Sequence, residues 1–164
     1  IVFAVHSFLR PTETELFGIR FCDIELMDEP KHLIMTLTGK TGYRKSATLE
    51  AAVNIFELQR KRHPDAKPTD HLFMPEYANR TTAVNTYRRI FNYFLDAAGL
   101  KKDKDGNSRS PYSLRHYALQ TRLRKSEGHV NIYWLAENAG TSVDQLERFY
   151  LKNMEPSSEK VRNC

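Results

Sequence analysis

At 164 residues and 19.1 kDa the chain fits one ordinary domain, and with 40% apolar residues it can bury a core while its 27% charged residues stay in water. Twenty-five Lys and Arg against twenty Asp and Glu give +5 and a pI near 9.2, which favours a polyanionic partner over a cationic one. Cys22 and Cys164 are too few and too far apart for a disulfide framework or a structural zinc site, so reduced thiols in a cytosolic setting are expected. No apolar run approaches the roughly 20 residues that a membrane-spanning helix requires, and no charged-then-apolar leader opens the chain.

The chain begins at Ile1 inside an apolar helical pattern, which suggests a fragment of a longer protein. Residues 1–8 read as the end of a helix. Arg10-Pro11-Thr12 interrupts it, and Pro11 suits the first turn of a new helix through Glu15, Leu16 and Ile19. Residues 21–27, 32–38 and 43–49 have strand character, separated by Asp28-Glu29-Pro30 and by Gly39-Lys40-Thr41-Gly42. They predict a small antiparallel sheet whose second turn presents Lys40.

Residues 49–62 carry a helical apolar stripe that ends in Arg60-Lys61-Arg62 before Pro64 and Pro68. Residues 72–75 are extended, and residues 81–100 form a long amphipathic helix closed by Gly99, with Tyr87, Phe91 and Phe94 expected in the core. The polar stretch 101–109 reads as a mobile loop. Helices then follow over 113–127, over 132–138 ended by Ala139-Gly140, and from Val143 to about Leu151 with Ser142 as N-cap. The expected class is α+β, mostly α-helical, with a three-stranded antiparallel sheet near the N-terminus, in a single domain over residues 1–164.

The positive charge is local. Residues 101–125 hold four Lys and four Arg against Asp103 and Asp105, a surplus of +6 where the whole chain has +5. Such a run is often only a solvated face, but Arg115 sits between apolar neighbours at a helix start, where backbone N–H groups can also hold an anion. His6, His32, His63, His71 and His129 have no ligand spacing and read as ordinary histidines, so no metal site and no cofactor are expected.

Taken singly, Tyr150 would be a core or rim residue. The ordered set changes that reading. Pro111-Tyr112-Ser113-Leu114-Arg115-His116, then Gly140-Thr141-Ser142 and Tyr150, resembles the catalytic domain of the tyrosine recombinases, the phage-integrase family, and most of all its bacterial site-specific integrases. Phe8-Leu9-Arg10-Pro11 and residues 16–24 resemble the family's first-arginine box and the strand after it, and Thr38-Gly39-Lys40-Thr41-Gly42 resembles its hairpin lysine.

The resemblance implies a site-specific recombinase that cuts and rejoins double-stranded DNA at attachment sites through a 3'-phosphotyrosine ester, without metal or ATP. Tyr150 would be the nucleophile, Arg10 and Arg115 the phosphate clamp, and Lys40 the general acid. Metal-free attack on a phosphodiester needs these parts: an alcohol, planar guanidiniums on the non-bridging oxygens, and an acid for the leaving oxygen. Tyr112 and Thr141 stand where the family usually has histidine, and His or Trp, so hydrogen bonding to the phosphate is their expected role. His116, the nearest imidazole, would handle protons.

The thirteen-residue spacing from Arg10 to Asp23 leaves either an insertion in the turn or Glu15, rather than Glu13, as the carboxylate supporting Arg10. The resemblance also implies a separate N-terminal DNA-clasping domain, a homo-tetramer on DNA from a chain that could be a monomer alone, a tail after Tyr150 that docks on a neighbour, and a bacterial, cytoplasmic, nucleoid-associated protein. Two rivals remain. Residues 132–150 also resemble a helix-turn-helix DNA-binding module, and Tyr112 and Thr141 fit a degenerate recombinase relative that binds DNA without cutting it.

Overall fold

The computed structural model describes residues 1–39 and 42–148. The class is the expected one, α+β with helices predominating and one three-stranded antiparallel sheet in the order β1-β2-β3. Strands β1 (Ile24–Asp28), β2 (Lys31–Gly39) and β3 (Gly42–Ala47) pair with Ile24 opposite Met35 and Leu37 opposite Arg44. Alternation along β2 buries Leu33, Met35 and Leu37 in a cluster with Val53 and Phe56 of helix α2 (Ala51–Arg62). Each such side chain removed from water contributes about 2 kcal/mol.

Helix α1 (Val2–Ser7) touches both α2 and α4 (Tyr112–Lys125). It ends at Phe8 in the left-handed conformation, φ 58°. The core is thereby linked along one short segment. Phe3 belongs to the sheet cluster, whereas Phe8 joins Leu119, Leu123, Leu135 and Leu146 in a second cluster built from α4, α5 (Ile132–Ala139) and α6 (Val143–Leu146). Asn131 caps α5 through Tyr133 and Trp134 N–H, and Ser142 caps α6 through Gln145 N–H as expected. No helix among the described residues is long and apolar enough to cross a membrane.

Four expectations are corrected. Residues 11–18 form turns and not a helix: Leu16 N–H donates to Arg10 O and Phe17 N–H to Thr12 O, so the regular ladder never starts. The cause is Glu15, whose carboxylate reaches back to Arg10 N–H at 2.7 Å and folds the segment onto itself. Gly18 permits this, since a Cβ there would stand 2.4 Å from Glu13 O. The first strand begins at Ile24, because Phe21–Asp23 is a single 3-10 turn with Asp23 accepting from Arg20 N–H.

Residues 101–109 form a bonded turn and not an open loop. The Asp103 carboxylate accepts from Asp105 and Asn107 N–H, Lys102 bridges to Ser108, and Arg109 Nη1 donates to Leu100 and Lys102 carbonyls. Phe94 is 60% exposed. Helix α3 (Arg80–Ala97) packs through Ala83, Val84, Tyr87 and Phe91, with Tyr87 against Phe17 at 5.1 Å, and its last turns extend past the groups that could cover Phe94. The final helix is described to Leu146 with a wider turn at 147–148.

Candidate active site

The last turn of α5 organises the site. A helix leaves its final carbonyls without intrahelical donors and carries partial negative charge there. Gly140 at φ 63° closes α5 in the left-handed conformation and leaves three successive carbonyls pointing outward. Three arginines from distant parts of the chain take them. Arg44 Nη1 donates to Asn138 O at 2.9 Å, Arg115 Nη2 to Ala139 O at 2.6 Å, and Arg10 Nη2 to Gly140 O. Arg115 Nη1 also donates to Phe8 O, two residues before Arg10.

Glu15, and not Glu13, is the carboxylate that supports Arg10. Its Oε1 lies 2.5 Å from Arg10 Nη1 and 3.3 Å from Arg44 Nη2, whereas Glu13 instead accepts from the Thr81 hydroxyl. Glu15 is 6% exposed, so this carboxylate is held by charge-assisted bonds in a poorly solvated place. Burial alone would lower the Arg10 pKa; Glu15 and the Tyr112 hydroxyl outweigh it and raise it, so Arg10 is permanently charged.

Tyr112 opens α4 and lies against Arg10. One turn on, the half-buried His116 ring stands 5.2 Å from the Tyr112 ring, and burial with the neighbouring Arg115 charge lowers its pKa below the usual 6.5. Thr141 directly follows the carbonyl that holds Arg10, and its own N–H donates to Ala136 O. Arg10, Tyr112, Arg115, His116 and Thr141 thus gather around one helix end. Lys40 and Tyr150 lie outside the described residues, as do Cys164 and the tail after Tyr150.

The helix-start anion site foreseen at Arg115 takes a different form. Ser113 and Leu114 N–H donate to Ser110 and Pro111 carbonyls, and Arg115 is 3% exposed with its guanidinium bonded to the end of α5. Arg10 is the accessible member, with a third of its side chain exposed. Arg10 and Arg44 share the single Glu15 carboxylate, so this pair brings more positive than negative charge to the accessible edge of the site, which suits an anion with several oxygens.

Arg44 and Asn138 were not singled out from the sequence. The available signal was Arg44's place on β3: opposite Leu37 it shares the apolar face of the sheet, where a charge needs a partner.

No family model, no curated protein and no solved structure matches this chain.

Proposed function

We propose that this chain is the catalytic domain of a tyrosine-type DNA strand transferase, a site-specific recombinase or integrase. The observation that carries the reading is the meeting of Arg10 and Arg115, from opposite ends of the sequence, on the adjacent carbonyls of Gly140 and Ala139. What supports a phosphate at this edge is Arg10, a third exposed, against the Tyr112 hydroxyl and bonded to the carbonyl just before Thr141.

In this reading the Tyr150 phenolic oxygen attacks phosphorus and forms the 3'-phosphotyrosine bond, its proton passing to His116. The lowered pKa keeps His116 neutral at pH 7 and able to accept that proton. The bond to the 5'-oxygen breaks, its electron pair leaves with that oxygen, and Lys40 protonates it. The ester retains the energy of the broken bond, so attack by a 5'-hydroxyl reverses the step. A tetramer on two duplexes, with an N-terminal domain clasping DNA, would bring such hydroxyls together.

A non-catalytic DNA binder is the second reading, favoured by one observation: Arg115 is buried on the carbonyls of Phe8 and Ala139. The helix-turn-helix version is weaker, because the last turn of α5 is bonded to three arginines and to β3 instead of standing clear of the domain.

A nicked duplex taken from the DNA flanking the protein's own gene decides among these. Strand transfer produces a protein–DNA adduct that survives detergent and disappears in Tyr150→Phe; binding without adduct supports the second reading, and neither result leaves both untenable. Arg115→Lys should lower adduct yield by about a hundredfold while changing affinity little, because the clamp acts on charge that develops in the transition state. Affinity should fall steeply with salt.

A further inference from the structure

We propose that Arg44 is a positioning residue of this site, holding Arg10 through the Glu15 carboxylate and holding the carbonyl end of α5 through Asn138. The inference rests on the strand-transfer reading and extends it to a side chain that touches no substrate.

Tyr43 and Lys45 of β3 face water, while Arg44 and Ser46 lie opposite Leu37 and Met35 on the inward face. A charge on that face is costly unless partnered. Arg44 finds a carbonyl and a carboxylate: Nη1 donates to Asn138 O at 2.9 Å, and Nη2 sits 3.3 Å from Glu15 Oε1, near enough for ion pairing though not aligned as a hydrogen bond. The same Oε1 is 2.5 Å from Arg10 Nη1, so Arg44 and Arg10 share one oxygen.

Asn138 completes the fastening. Its backbone carbonyl also accepts from Ser46 Oγ, its side-chain Oδ1 accepts from Ala47 N–H, and its Nδ2 donates to Ala47 O. Gly140 is part of the same contact: a Cβ there would stand 2.6 Å from Arg44 Nε, so the guanidinium lies directly on the backbone of the residue whose carbonyl holds Arg10. A planar guanidinium can fork between a carbonyl and a carboxylate, whereas one lysine ammonium cannot span both. Arg44 stands four residues after Lys40 in sequence, and it ties β3 to the end of α5 that holds Arg10 and Arg115.

The test compares Arg44→Lys, Glu15→Gln and the double variant in the full chain, measuring adduct rate on the nicked duplex, DNA affinity and melting temperature. Arg44→Lys should bind DNA within about twofold of wild type yet form adduct about tenfold more slowly, the loss expected when a reacting group is misplaced. The double variant should be no slower than the slower single variant, since both act through one chain of contacts.

A lower melting temperature with an unchanged rate, or losses that multiply in the double variant, overturns the inference while an adduct lost in Tyr150→Phe still upholds strand transfer. If wild type forms no adduct, the strand-transfer reading fails and this one with it. Should Arg44→Lys not fold, Glu15→Gln carries the comparison, and an unchanged rate there is equally decisive.

Discussion

The rings of Tyr112 and His116, one turn apart on α4, stand 5.2 Å apart at a tilt of 58°. The imidazole is half-buried beside the Arg115 guanidinium, and both burial and that charge disfavour its charged form. Because the folded-state pKa lies below 6.5, the unfolded chain takes up this proton first as pH falls. Stability from His116 is therefore present above pH 6.5 and is lost as pH drops through the folded-state value. His71, lowered by burial and by Arg80, acts in the same direction. Urea midpoints between pH 7.5 and 5 should fall for wild type and fall less for His116→Gln; equal slopes would contradict this account.

Gly140→Ala should destabilise the fold by about 1–2 kcal/mol, combining a left-handed backbone with the contact on Arg44. Denaturant titration reads the change, and Gly99→Ala provides the control. Gly99 shares the left-handed conformation at φ +65°, but a Cβ there meets nothing, so its loss should be the smaller of the two.

Arg80 is expected to be a stability residue with no part in DNA chemistry. Its guanidinium donates to the carbonyls of Phe17, Phe73, Met74 and Tyr77, closing the segment that leads into α3. Arg80→Gln should cost about 2 kcal/mol, because several carbonyls lose their donor at once. Thermal melting checks the cost. The adduct rate of the folded fraction should not move.

Phe91 and Phe94 lie on the same helix and should behave oppositely. Phe91 is 6% exposed and stacks on Tyr87, so Phe91→Ala should cost about 3 kcal/mol; Phe94→Ser, at 60% exposure, should stay within about 0.5 kcal/mol. Paired melting curves decide it.

The contrast between those two phenylalanines shows what a sequence can convey. Period and spacing identify an amphipathic helix, but they do not say where its neighbours stop, and α3 outruns its own. The three strands and the cap at Ser142 follow from local chemistry and were legible. The turns over residues 11–18 were not, because they depend on where one carboxylate, Glu15, reaches. Arg10, Tyr112, Arg115, His116 and Thr141 were singled out as candidates by type and order, whereas Arg44 and Asn138 became visible only once β3 and α5 were side by side. A contact made by tertiary packing leaves little trace in either segment alone.

The pairing of Asn138 with Ala47 has a consequence at the sheet margin. β3 is an outer strand, and outer strands offer unpaired backbone groups to any extended chain that passes. At Ala47 both groups are already taken, N–H by Oδ1 and carbonyl by Nδ2, so a carboxamide stands in for the next strand. The protein thereby closes its own sheet at this point against accretion of a second molecule, with the side chain of the residue whose backbone carbonyl also holds Arg44.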